Sequence, residues 1–315
     1  MIVLVTGGAG FIGRHLVARL LARPEVTQVR VLDNLFRPCP APGDMLDDPL
    51  VCDRRVRFVK GDIRDAQACR QAVAGAELVF HLAAQSNVLG SVTDLGYSFG
   101  ANVAGTVNLL TAARDAACVR CFVFASSREV YGEPAELPVR EHAPLAPKNA
   151  YGASKVAAEA YCGAFAAQGL NVRVVRMANV YGPGDRDRVI PLFCQRALAG
   201  EPLFLYGGGQ LIDFVPVGLT CEALLRLAER AGELPAGPVN IGSGRGASLP
   251  ELAERVAACL PERRVETRVL PARGPEVLRF VAHTGRMAEW LGISPPEDPL
   301  VLLPETLDFF REARP

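Results

Sequence analysis

A glycine-rich turn joins an apolar strand to an amphipathic helix at the very start of the chain. Residues 1–5 form a short apolar run with β-branched members and read as a buried strand. The run enters Thr6, Gly7, Gly8, Ala9, Gly10, Phe11, Ile12 and Gly13. Glycines here let the backbone turn sharply and approach a pyrophosphate closely. Residues 14–22 keep an apolar stripe through Leu16, Val17, Leu20 and Leu21, which predicts a helix. Its N-terminus presents free N–H groups and the positive end of the helix dipole to phosphates. A second apolar run, Val29 to Leu32, ends in Asp33, about 20 positions after the last glycine, where an acidic residue binds the adenosine ribose hydroxyls. Strand, loop, helix, strand and acid in that order define a dinucleotide-binding unit rather than a chance glycine turn. A carboxylate at Asp33 accepts from a 2′-hydroxyl and repels a 2′-phosphate, so the expected cofactor is NAD rather than NADP. Arg37, close by in sequence, is the one nearby residue that would soften this preference.

At 315 residues the chain is long enough for one large or two coupled domains. Thirty-four basic residues balance 34 acidic ones, and the basic residues are scattered. No polyanion-binding surface, and hence no nucleic-acid partner, is expected. The chain begins with its first core strand and has no apolar stretch long enough to span a bilayer, so no signal peptide and no membrane partner are expected, and the expected compartment is the cytoplasm. Nine cysteines include one CxxC, Cys118 and Cys121, without a second pair, and the four histidines are dispersed. Buried free thiols are the expected state, with no metal. Lysine occurs only at positions 60, 148 and 155.

Strand and helix patterns alternate along the first 180 residues. Strands are predicted at 56–60, 78–82, 121–125 and 172–176, and helices near 66–74, 102–116 and 151–167. The fold class is α/β, a doubly wound parallel (Rossmann) sheet with helices on both faces. In such sheets ligands bind beyond the carboxyl ends of the strands. The stretch from Phe36 to Arg55 reads as a surface loop. After Arg176 the pattern loosens, with glycine and proline clusters at 182–185 and 207–209. Residues 1–180 are assigned to an NAD-binding Rossmann domain, to which 212–241 return. Residues 181–211 and 242–315 are assigned to a smaller substrate-binding lobe.

Tyr151 and Lys155 lie four apart at the start of a predicted helix, on one face. Tyrosine ordinarily loses its proton near pH 10, too high for a base at neutral pH. A neighbouring ammonium and a cationic nicotinamide ring both favour the phenolate. Alone, this spacing is equally that of an exposed tyrosine and a solvated lysine. Following an NAD unit and the serines Ser126 and Ser127, it describes a dehydrogenase-type catalytic group.

The chain resembles the extended short-chain dehydrogenase/reductases, specifically the nucleotide-sugar epimerase/dehydratase group. The resemblance rests on Thr6–Gly13, Asp33–Leu35, Gly61–Ile63, His81–Gln85, Asn102–Thr106, Ser126–Gly132, Tyr151–Lys155, Asn179–Pro183 and Asn240–Gly242, and it spans nearly the whole chain. It implies an enzyme that holds NAD tightly and uses it to oxidise a sugar hydroxyl, usually at C4. Tyr151 would be the base, Lys155 its electrostatic partner and a ribose ligand, and Ser127 the hydroxyl bonded to the reacting oxygen. The cofactor would lie on Gly7, Gly10, Phe11, Ile12, Gly13, Asp33 and Asn34, with Asp62 and Ile63 at the adenine and Ala83 and Ala84 along its channel. His81 would be a structural residue at a strand end. Asn102 would support the catalytic lysine, or alternatively cap a helix. Asn179 would contact the diphosphate or the sugar. A nucleotide-diphosphate sugar, UDP-linked, is the implied substrate. The helices at 102–116 and 151–167 resemble those that pair in the family's homodimers, and 102–116 carries apolar residues on more than one side.

Two departures from the family pattern bear on the reaction. Glu129 matches the glutamate of dehydratases and sugar-acid decarboxylases in this group, where simple 4-epimerases have a small or neutral residue. The aspartate that 4,6-dehydratases carry just before it is here Arg128. The other reading of Glu129 is a carboxylate paired with Arg128 or a helix end. The family's diphosphate-gripping arginine before Asp213 is replaced by Ile212, while Arg273 matches a second phosphate-contacting arginine, and Arg186 and Arg188 are candidate substitutes. The leading expectation is an NAD-dependent nucleotide-sugar 4-epimerase. The alternatives are a dehydratase or decarboxylase using Glu129 and, in a different class, a non-catalytic NAD-binding regulator.

Overall fold

Every strand of the main sheet runs parallel to its neighbours, so every link between them must cross a face of the sheet. The computed structural model describes residues 1–37, 52–186, 188–272 and 277–312. In chain order the main-sheet strands are β1 (Ile2–Thr6), β2 (Gln28–Asp33), β3 (Val56–Lys60), β4 (Leu78–His81), β5 (Cys121–Ser127), β6 (Val172–Met177) and, much later, Val239–Ile241. Their spatial order is last strand, β6, β5, β4, β1, β2, β3. The order reverses at β1, and that reversal opens a crevice at the strand ends. Helices α1 (Phe11–Leu21), α2 (Ala66–Val73), the short α3 (Val88–Thr93) and α4 (Leu95–Phe99), α5 (Gly105–Ala116) and α6 (Ala150–Ala167) form the crossovers.

Alternation along the strands feeds two cores. Val3, Val5, Val29, Val31 and Phe80 face one side, with Leu16, Val17 and Leu20 of α1. Leu4, Leu32, Val79, Phe122 and Phe124 face the other, with Leu109 and Leu110 of α5. This period-two division buries both faces of the sheet, as a covered parallel sheet requires. A third core, which includes Phe193, Leu203, Leu205, Leu252, Val256, Leu303 and Leu307, belongs to a smaller lobe. It is built from α7 (Val189–Ala199), the parallel pair Leu203–Tyr206 and Thr267–Leu270, and the helices at Leu249–Ala258 and Leu303–Glu312.

Phe214–Pro216 pairs in parallel with Asn179–Tyr181, outside the main sheet, and a helix begins directly at Val217. The structure corrects the sequence reading in two places. Residues 277–293 do not belong with the lobe's core. Phe280, Ala282, Met287, Trp290 and Leu291 pack into the first core with the Val217–Glu229 helix. The helix expected at 102–116 opens with a π-helical turn, Gly100–Ala104, which a 3.6-residue period cannot register. Most of the loop expected at 36–55, and Arg273, lie outside the described residues.

Candidate active site

A cleft of about 720 Å³ opens at the carboxyl ends of β1, β2, β4, β5 and β6 and is closed on its far side by the lobe. Its floor depends on glycine. A Cβ at Gly7, whose φ is +69°, would lie 2.7 Å from the Ala83 nitrogen, and one at Gly13 would lie 2.2 Å from the Gly7 oxygen. The three backbones therefore touch, and space for a dinucleotide is left where side chains would stand. Gly10 precedes α1 without a side-chain cap, so the first-turn N–H groups at Phe11, Ile12 and Gly13 are left to a ligand.

Asp33 ends β2 at the rim of this floor. Its carboxylate accepts the Ala9 N–H at 3.0 Å and the Leu35 N–H at 2.8 Å. Burial pushes its pKa up, and these two backbone bonds oppose the rise. The carboxylate is thus fixed at the cleft, with lone pairs remaining for ribose hydroxyls. Asn34 donates to Asp62 at 2.9 Å and to the Tyr97 hydroxyl at 3.1 Å. Against the upward push of burial, hydrogen bonds from Arg64 and Asn34 hold the Asp62 carboxyl down at about 2. Asp62, Ile63, Ala83 and Ala84 line the cleft. Tyr97 was not anticipated; it stands with Phe36 at a ring separation of 4.8 Å, with the Arg64 guanidinium 4.5 Å above it. No local pattern marks it, because α4 brings it back from about 60 residues away in sequence.

His81 is buried and has no route to chemistry. The Thr106 hydroxyl donates to the Asn102 carbonyl at 2.7 Å, so it accepts from His81 Nε2 at 2.9 Å. His81 Nδ1 then accepts from Thr6 at 2.8 Å, and Thr6 Oγ1 accepts the Ala83 N–H at 3.2 Å. This sense of bonding assigns the proton to Nε2. Burial lowers its pKa well below the usual value, and the Lys155 charge adds to that effect.

Asn102 sits inside the π-helical turn rather than at a cap, and it is not among the residues that line the cleft. Its amide donates to the Gln85 carbonyl at 3.0 Å and to Ser154 Oγ at 2.9 Å, while its oxygen accepts the Gln85 N–H at 2.8 Å. It is a brace between the loop after β4 and the helix that carries Tyr151.

Asn149 caps α6 by accepting the Gly152 N–H at 2.8 Å, which places Tyr151 in the first turn. The phenol is buried, with the Ser127 hydroxyl within hydrogen-bonding reach. Burial pushes its pKa up to about 12, opposed by the Arg188 charge and the Ser127 bond and assisted by Glu129. Ser127 Oγ accepts the Glu129 N–H at 3.2 Å, which leaves its own proton free to donate. Lys155 Nζ donates to the Ala125 carbonyl at 2.8 Å and lies 5.8 Å from the Tyr151 ring centre. The positive charge that acts on the phenol's pKa is that of Arg188. Arg188 was expected only as a phosphate ligand; it lines the cleft and donates to the Val180 carbonyl at 2.7 Å.

Glu129 is buried and held at both oxygens. Arg128 Nη2 lies 3.0 Å from one, and the Asn149 amide donates to the other at 2.7 Å. Asn179 lines the cleft near β6 and donates weakly to the Asp213 carbonyl at 3.4 Å. Asp213 is fully buried and accepts from Ser243, Gly244 and Ala282, so it staples the chain rather than facing a ligand. Ile212 faces the cleft where the family resemblance leads to an arginine, while Arg186 and Arg188 line the same cavity.

Burial lowers the Lys155 pKa from 10.5 to about 8, against upward influences from Cys162 and Glu159. The unfolded chain then carries a proton that the folded chain releases between these values. Below the lower value the buried ammonium costs stability, and that cost fades as pH rises through the window. Lys155→Met is expected to be more stable than the native protein at about pH 7, by at most about 3 kcal/mol, with the difference shrinking by about pH 9.5. Urea unfolding at the two pH values checks this; an advantage that does not change with pH would contradict it.

Comparisons with known proteins identify the family. The family model for the NAD dependent epimerase/dehydratase family matches residues 3–242. A putative UDP-glucose 4-epimerase of Methanocaldococcus jannaschii is 34% identical, with 94% of each chain covered. The dTDP-glucose 4,6-dehydratase DesIV of Streptomyces venezuelae, solved with NAD bound, superimposes with a TM-score of 0.91 at 34% identity, covering 100% of this chain and 98% of that one. The UDP-glucose 4-epimerase of Thermus thermophilus, in complex with NAD, gives a TM-score of 0.87 at 34% identity, covering both chains fully. The glycine cradle and the fixed Asp33 carboxylate suit the cofactor those structures contain. The chain belongs to the NAD-dependent epimerase/dehydratase family of nucleotide-sugar enzymes.

Proposed function

We propose that this enzyme is a nucleotide-sugar 4-epimerase. The observation that carries this reading is the state of Glu129. Elimination or decarboxylation needs a further acid or base beside the sugar. Glu129 is the carboxylate in position for it, and both of its oxygens are held by Arg128 and Asn149. The adjacent position, acidic in 4,6-dehydratases, carries Arg128. Ser127 and Tyr151 remain to handle one oxygen.

When bound, NAD supplies the hydride acceptor, and then the donor, for the carbon bearing that oxygen. The protein's own residues manage the proton. Ser127 donates to the sugar oxygen, and Tyr151 takes its proton and later returns it. Burial holds Tyr151 at about 12 even with the Arg188 charge counted, so reaching a working range needs further positive charge, which a cationic nicotinamide would supply when bound. We assign Asn179 to the sugar or diphosphate, and Arg188, with Arg186, to the phosphates in place of the absent arginine at 212. A UDP-linked sugar is the proposed form; UDP-glucose 4-epimerases among the relatives support it.

We also propose a homodimer. Ala153, Ala160, Tyr161, Gly163 and Ala164 of α6 are exposed, and Val92, Leu95 and Phe99 stand exposed on the neighbouring short helices. Small residues along a helix let a partner helix approach closely, and this patch suits a two-fold contact. Light scattering at micromolar concentration should give twice the chain mass; a monomer would reject the dimer.

Tyr151→Phe should lower turnover by about 10²–10⁴-fold or more while leaving NAD affinity nearly intact. Retention of a tenth of native activity would contradict the role given to the phenol. Incubation with a panel of nucleotide sugars, read by NMR and mass, should give a product of unchanged mass with an altered C4 coupling. Glu129→Gln should slow that reaction by less than about tenfold, as expected for a lost structural contact. Loss of water or carbon dioxide from the native enzyme's product would replace this reading with the dehydratase or decarboxylase.

A further inference from the structure

Arg128 is more than a partner for Glu129. It follows Ser127 directly, on the 3₁₀ turn Arg128–Val130, and both residues line the cleft, as does Tyr151. Its side chain is only 13% exposed. A guanidinium carries five N–H donors in a planar fork. Here Nη2 pairs with Glu129, the group lies 5.7 Å from the Phe280 ring centre, and Nη1 is buried without a hydrogen-bond partner. A charged donor left in that state is costly. Glu129 does not depend on it alone, because Asn149 donates to its other oxygen. A rotation at the end of the Arg128 side chain would exchange the ring contact for an acceptor in the cleft.

We infer that this acceptor is a carboxylate on the sugar, beside the reacting carbon, and that the preferred substrate is a nucleotide-linked hexuronate rather than a neutral hexose. The inference rests on the reading above, which puts the sugar's C4 oxygen between Ser127 and Tyr151. In a pyranose the anomeric carbon, with its diphosphate, lies across the ring from C4. A guanidinium at the C4 end therefore meets a substituent of the sugar, not the diphosphate. The exocyclic group there is the one on C5, which is a hydroxymethyl in a hexose and a carboxylate in a hexuronate. A carboxylate takes two parallel N–H bonds from the fork and is matched in charge, whereas a hydroxyl takes one.

The test separates binding from turnover. Tyr151→Phe, loaded with NAD, is titrated calorimetrically with UDP-glucuronate and UDP-glucose, and with the dTDP-linked pair. The hexuronate should bind tighter by about tenfold or more, as a charge-assisted pair predicts. Adding Arg128→Met should weaken the hexuronate by about tenfold or more and the hexose by less than about threefold, while Arg128→Lys should restore part of the difference. Equal or tighter binding of the hexose, an equal loss of both ligands in the Met variant, or no binding of either overturns the inference. If Arg128→Met fails to fold, the preference measured with Arg128 in place and its reduction in Arg128→Lys decide the matter. Tight hexuronate binding without a C4 epimer from the native enzyme would sink the epimerase and keep the inference. Epimerisation of UDP-glucose with no preference for the hexuronate would do the reverse.

Discussion

A buried chain of neutral hydrogen bonds ties the cofactor floor to the catalytic helix, and the rest of the site depends on it. It runs from Thr6 at the end of β1 through His81 at the end of β4 to Thr106 and the Asn102 carbonyl. The Asn102 amide then reaches Ser154, whose hydroxyl donates to the Tyr151 carbonyl at 2.7 Å. Each group along the way is satisfied, so the chain holds its geometry without an uncompensated charge. It sets Tyr151 at a fixed distance from the glycine turn. A histidine lowered far from its usual range keeps that chain in one protonation state while Lys155, at about 8, titrates beside it.

The first half of the site was legible in the sequence because its signals are local. The glycine turn, Asp33, Asp62–Ile63 and the Tyr151–Lys155 spacing each lie within a few residues of the element that positions them. Period-two and period-3.6 patterns then place those elements in one sheet. What could not be read is what long-range packing decides. Asn102 sits in a π-helical turn that no local pattern announces, and its amide bonds to Gln85 and Ser154, 17 and 52 positions away. Residues 277–293 follow the chain into the stretch assigned to the lobe, but Phe280 and Trp290 find their partners in the first core.

Glu129 shows the same division at one residue. Its pairing with Arg128 was one of the two readings open from sequence, since the residues are adjacent. The second ligand, Asn149, comes from the cap of α6, 20 residues on. Only with both contacts does the carboxylate become a part of the frame.

The cap over Arg128 also bears on how the protein folds. Phe280 stands above the guanidinium, and the neighbouring strand is tied back by Val139 N–H to the Val281 carbonyl at 2.7 Å. These partners are some 140–150 positions apart in a chain whose glycine turn lies in its first 13 residues. Loop closure on that scale comes late, after local and sheet contacts have formed. During synthesis the glycine turn and the Ala83 backbone it packs against are therefore both made well before the contact over Arg128 can form.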